Sequence, residues 1–90
     1  MKDYWAAEAA GILKGMLIRD GITYKRLSLM LAARGFDESE RQLRNRINRG
    51  AFSFSFFLRC MTAMGYEDVR FTVRSTKPGA TSKRETPRIS

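Results

Sequence analysis

Apolar residues recur every three or four positions from Tyr4 to Met64, and Gly21, Gly35, Gly50 and Gly65 interrupt that rhythm. The pattern predicts four helices joined at the glycines. Asp3 is placed to cap a first helix whose inward face carries Trp5, Ala9, Ile12, Leu13, Met16 and Leu17. Gly11 and Gly15 lie four apart on that helix, a spacing that suggests close approach of a neighbouring helix. Thr23 caps a second helix from Tyr24 to about Ala33, with Leu27, Met30 and Leu31 turned inward. Asp37, with Glu40 three residues on, reads as an acidic capping box opening a third helix over residues 38–49. Ser53 caps a fourth helix through about Met64, with Phe57, Leu58, Met61 and Met64 as its expected buried stripe.

After Gly65 the period changes. Val69, Phe71 and Val73 alternate with Arg70, Thr72 and Arg74, which predicts a short β-strand. From Ser75 the chain is polar, basic and poor in large apolar residues, the composition of a disordered tail. The expected organisation is therefore one domain over 1–73 and a flexible basic tail over 74–90.

Charge divides the chain at a different point. The chain has 17 Lys and Arg against 9 Asp and Glu, for a net charge of +8. Residues 1–40 are balanced, so the whole excess lies beyond them. Such asymmetry points to a polyanionic partner, nucleic acid or an anionic membrane. Other classes recede. The chain has no His, which excludes His-based acid–base catalysis and His-containing zinc sites. Cys60 is its one cysteine, so no intramolecular disulfide or CxxC pair can form. There is no Gly-rich phosphate loop, no apolar run long enough to span a bilayer, and Asp3 falls where a secretory leader would begin its apolar core. Neither enzyme activity nor a metal or other cofactor is expected. The expected location is the cytoplasm, with no membrane partner.

The third helix carries the most chemistry. Leu43 and Ile47 define a narrow apolar stripe, and Asn45 lies opposite it at 100° per residue. Arg41, Gln42, Asn48 and Arg49 share that outward face, and Arg44 and Arg46 flank the stripe. A solvated basic face would look similar, but Arg, Asn and Gln are also the side chains that read base edges in the major groove. Arg41, Gln42, Asn45 and Asn48 are thus candidates for base readout, and Arg44, Arg46 and Arg49 for phosphate contact.

Residues 12–65 resemble the helix-turn-helix domain of the lambda repressor, Cro and Xre-type regulators, in a small proteobacterial variant. The resemblance rests on "ILKGMLIRDGITYKRLSLMLAARG", "RQLRNRINRG" and "FSFSFFLRCMTAMG". It implies an all-α, four- to five-helix lambda-repressor-like domain, extended here by the short C-terminal strand and the basic tail. It also implies a sequence-specific double-stranded DNA-binding transcriptional regulator, with repression the expected outcome. Helix three would enter the major groove, and Thr23, Tyr24 and Lys25 would contact phosphate. Two features depart from the family pattern. The interval from Gly35 to Gly50 is about one helical turn longer than expected, so helix three or its leading turn is extended. Asp37, Glu38 and Glu40 put acids near the expected phosphates, so the reading face should begin at Arg41. The competing functions are a protein-interaction or adaptor module on the same fold and a nonspecific nucleic-acid binder.

Remaining features bear on assembly. Four Phe crowd residues 52–57, more than one helix face can bury, so either two or three are core and one is exposed, or Phe52 or Phe56 forms an apolar patch for self-association. Cys60 and the five Met read as core filling. The tail bases Lys77, Lys83, Arg84 and Arg88 fit either solubility or contact with DNA. An unpaired strand leaves backbone groups unsatisfied, so pairing with a second copy is expected. Val69, Phe71, Val73 and Phe56 would form that homodimer interface. No small-molecule ligand is expected.

Overall fold

Each helix start is fixed by a side chain that accepts a backbone N–H the helix leaves unpaired. A computed structural model describes residues 3–73 of the chain. Helix α1 spans Tyr4–Arg19 behind Asp3, and α2 spans Tyr24–Ala32 behind Thr23. Helix α3 spans Glu40–Arg49 behind Ser39, and α4 spans Phe54–Ala63 behind Ser53. The result is a compact all-α domain with four helices among the described residues. The tail at 74–90 lies outside the described residues.

The core draws on every helix. Leu13, Met16 and Leu17 of α1 meet Leu27 and Leu31 of α2, Leu43 and Ile47 of α3, and Phe56, Phe57, Cys60 and Met61 of α4. Helix α3 packs against α1 and α2, and α4 packs against α2. Beyond the core, a polar clamp ties the end of α1 to the chain after α4. The Tyr66 hydroxyl donates to Asp20 at 2.6 Å and accepts from Arg19 at 2.7 Å. That second bond is the main reason the Arg19 guanidinium is held still more firmly protonated.

Five expectations need correction. Trp5, expected on the inward face of α1, is 44% exposed. The capping box at α3 is not Asp37 with Glu40 but Ser39 with Gln42. The Ser39 hydroxyl accepts from the Gln42 N–H at 3.1 Å, and the Gln42 carboxamide oxygen accepts from the Ser39 N–H at 2.9 Å. The helix therefore begins at Glu40, and the extra turn between Gly35 and Gly50 lengthens the connection, which occupies residues 33–39. Ser28 helps hold that connection by donating to the Glu38 carbonyl at 2.6 Å.

The buried face of α4 is rotated from the expected one. Phe56 and Cys60 join Phe57 and Met61 inside, while Leu58 is exposed and Met64 only partly buried. Phe56, expected at a dimer interface, is 2% exposed and belongs to the core.

No strand forms among the described residues; 69–73 is irregular. Alternation alone supplies two faces but no ladder, and a strand needs a neighbour to bond. Val69 packs on the core instead, and Phe71 meets Phe57 edge-on at 6.0 Å.

Gly11 and Gly15 do not mark a close helix contact. A Cβ added at either would meet nothing within 4 Å.

Candidate nucleic-acid interface

Leu43 and Ile47 are fully buried, which fixes the rotation of α3 about its axis. The opposite side of the helix then faces solvent, and Arg41, Asn45 and Arg49 are exposed there. These three are spaced i, i+4, i+8 and form one stripe about 12 Å long. None of their side chains has a hydrogen-bond, ion-pair or ring partner among the described residues.

The other α3 candidates are engaged. Gln42 uses its carboxamide oxygen to cap its own helix. To present both a donor and an acceptor to an adenine, it would have to release that cap. Asn48 is half-buried, and its Oδ1 accepts from Lys14 Nζ of α1 at 2.8 Å. Its oxygen therefore serves to join α1 to α3. Of the three amides on this helix, Asn45 is the one left open.

The two flanking arginines are also held. Arg44 Nη2 lies 2.8 Å from Glu40, one turn earlier, and its guanidinium carbon sits 5.6 Å from the Tyr24 ring centre. Arg44 thus touches the first residue of α2 and the first of α3, so the two helix N-termini meet around it. Arg46 Nη1 lies 3.1 Å from Glu38, and its guanidinium is stacked 4.9 Å from the centre of the buried Phe56 ring. With one side on an aromatic face and the other on a mostly buried carboxylate, Arg46 packs as part of the domain wall. Arg44, more open on both sides, can exchange Glu40 for another anion at small cost, since an exposed i, i+4 pair is worth about 0.3–0.5 kcal/mol.

At the start of α2, Thr23 Oγ1 accepts from the Arg26 N–H at 3.0 Å. The hydroxyl proton remains available as a donor. Lys25 and Arg26 are exposed, and the first backbone N–H groups of α2 point the same way as its dipole. Anions are therefore favoured at this end of the molecule. Sequence reasoning missed Lys14, Ser28 and the second role of Gln42. Only the Ser39–Gln42 spacing was visible in the sequence; the other two act on residues distant along the chain.

The remaining reactive group is Cys60. It is fully buried, and burial pushes its thiol up to about 12, with Glu38 adding to the rise. A thiol so protonated is a packing residue, not a nucleophile. Among the described residues no helix is long and apolar enough to cross a membrane.

A family model described as a domain of unknown function, DUF6471, matches residues 5–69. No curated protein and no solved structure matches the chain.

Proposed function

Because the chain belongs to the DUF6471 family, whose description assigns no activity, we propose from its own surface that it is a sequence-specific double-stranded DNA-binding regulator. In this reading α2 and α3 act as a helix-turn-helix pair with a lengthened connection. The single observation that carries it is the open Arg41–Asn45–Arg49 stripe opposite the buried Leu43 and Ile47. A helix about 10–12 Å across fits the roughly 12 Å width of the major groove, with the stripe facing the base edges. Arg and Asn are the side chains that bond two atoms of guanine and adenine there. Thr23, Lys25 and Arg44 surround the joined N-termini of α2 and α3, where a backbone phosphate would find donors and positive charge.

A second reading has its own observation. Gln42 and Asn48 are tied up within the domain, which leaves Asn45 as the one open amide and favours binding dominated by phosphate charge. Recovering bound fragments from genomic DNA, then titrating the recovered duplex and a scrambled one at several salt concentrations, separates the two. A specific regulator prefers its site by about 1,000-fold or more at fixed salt. A ratio near one supports the charge-driven reading, and no binding to either duplex supports an adaptor.

A further inference from the structure

A cluster of exposed apolar residues lies where the first turns of α1 and α4 meet the segment after α4. Phe54 is 69% exposed, Val73 52%, Phe71 48% and Trp5 44%. Side chains of this kind carry about 150–250 Å² for each aromatic ring, so at these exposures they leave on the order of 400 Å² of apolar surface in water. That is about the size of the largest apolar patch on a typical monomer, and such a patch is often functional. It also approximates the apolar share of a standard interface, a little over half of about 800 Å² per partner.

The surface has both a projection and a recess. Phe54 stacks on Phe57 with ring centres 6.0 Å apart and presents its other face outward. Its ring also forms part of the wall of a groove of about 300 Å³, lined as well by Trp5, Ala9, Ile12, Phe57, Phe71 and Val73. A projecting ring next to a groove able to receive one is what a two-fold, self-complementary contact requires.

Two further facts select a second copy as the occupant. Among the described residues that line the groove, Glu8 is the one charged side chain and none is a cation. In a chain of net charge +8, this is a face where two copies can meet without opposing their cations. The chain's own continuation is a poor filler. Residues 74–90 offer Ile89 as their one large aliphatic side chain, among five cations.

We propose that this face is a homodimer interface in which Phe54 of each copy enters the Trp5–Phe71 groove of the other. Phe71 and Val73 contribute as rims of that groove, and no strand pairing is needed. The proposal stands apart from DNA binding and is tested without DNA.

Trp5 is the one tryptophan of the chain, so its emission reports on the face directly. Sedimentation of the full-length protein across the micromolar range should give a dimer, and Trp5 emission should shift to the blue as dimer forms. Phe54→Glu should sediment as a monomer with unchanged helical circular dichroism and no concentration-dependent emission shift. Val73→Asp, outside every helix, should do the same and guards against a folding defect in the first variant. Leu29→Glu, an exposed position on α2, should remain dimeric. A wild-type protein monomeric throughout that range overturns the proposal and leaves the face to a different protein. Dimers that persist unchanged in both Phe54→Glu and Val73→Asp overturn it as well.

Discussion

Gly50 ends α3 directly against the backbone of Ala6 in the first turn of α1. A Cβ built on residue 50 would run into the Ala6 carbonyl group, and Gly50 also has φ +71. Two independent demands thus meet at one position: a left-handed backbone and contact with a peptide group that cannot rotate away. The same contact sets the end of the candidate reading helix against the start of α1.

Gly50→Ala should therefore cost about 2–5 kcal/mol, combining left-handed strain with overpacking against backbone. Gly21→Ala provides the comparison. Gly21 has φ +68, but its added Cβ would meet nothing within 4 Å, so about 1–2 kcal/mol is expected. Urea unfolding of the two variants checks this. Equal losses would mean that the Ala6 contact relaxes freely.

The open face of α1 leads to the opposite sign. Gly11 and Gly15 lie inside a helix, have no left-handed backbone and face open space. Replacing either by Ala should stabilise the protein by about 0.5–1 kcal/mol, because Gly loses more backbone entropy in a helix. Thermal melts of the two single variants measure it. If both variants lose stability, these glycines contact something that the isolated domain does not contain.

How far the sequence carried can be seen residue by residue. Asp3, Thr23 and Ser53 cap the helices they were expected to cap, because an N-cap bond spans only three residues. At α3 two local solutions competed, Asp37 with Glu40 and Ser39 with Gln42. Tertiary contacts decided it: Phe36 packs on the core and Ser28 holds the Glu38 carbonyl, which keep the chain non-helical through 38. The inward Leu43–Ile47 stripe was legible from spacing alone. The engagement of Asn48 by Lys14 was not, since the pair is separated by 34 residues. Periodicity likewise gave no sign that 69–73 would lack a strand partner, nor that Gly11 and Gly15 would face open space.

Cys60 gives the stability a pH dependence of definite sign. Its thiol is held protonated in the folded domain up to about 12, against an ordinary value of 9.0. The unfolded chain therefore ionises first as pH rises. The protection is complete below about pH 9 and is lost between pH 9 and 12 at up to about 1.4 kcal/mol per pH unit. Cys60→Ala lacks this loss, so the stability gap between wild type and variant should be flat below pH 9 and shrink above it. Urea titrations at stepped pH read the gap directly. A gap that stays constant to pH 11 would show that the thiol ionises without unfolding. Consistently, native protein at pH 8 should resist alkylation that proceeds at once in denaturant.

Substitutions along α3 should separate into two groups if the proposed DNA reading holds. Asn45 has no intramolecular partner among the described residues. Asn45→Ala should keep wild-type stability, lose about 1–3 kcal/mol on the preferred duplex and relax preference at one base. Arg41→Ala should likewise reduce discrimination. Arg49→Ala should weaken all duplexes alike and lower the salt slope by about 0.9 for the lost phosphate contact. The engaged residues should behave differently. Gln42→Ala removes half of the capping box, Asn48→Ala removes the Lys14 bond, and each should cost about 1 kcal/mol of folding stability. Arg46→Ala leaves the mostly buried Glu38 carboxylate without its cation and uncovers the Phe56 ring, so it should cost more than either. Unfolding curves and duplex titrations on the same six proteins make the comparison. If Asn45→Ala binds preferred and scrambled duplexes as the wild type does, α3 is not the reading helix, whatever its charge.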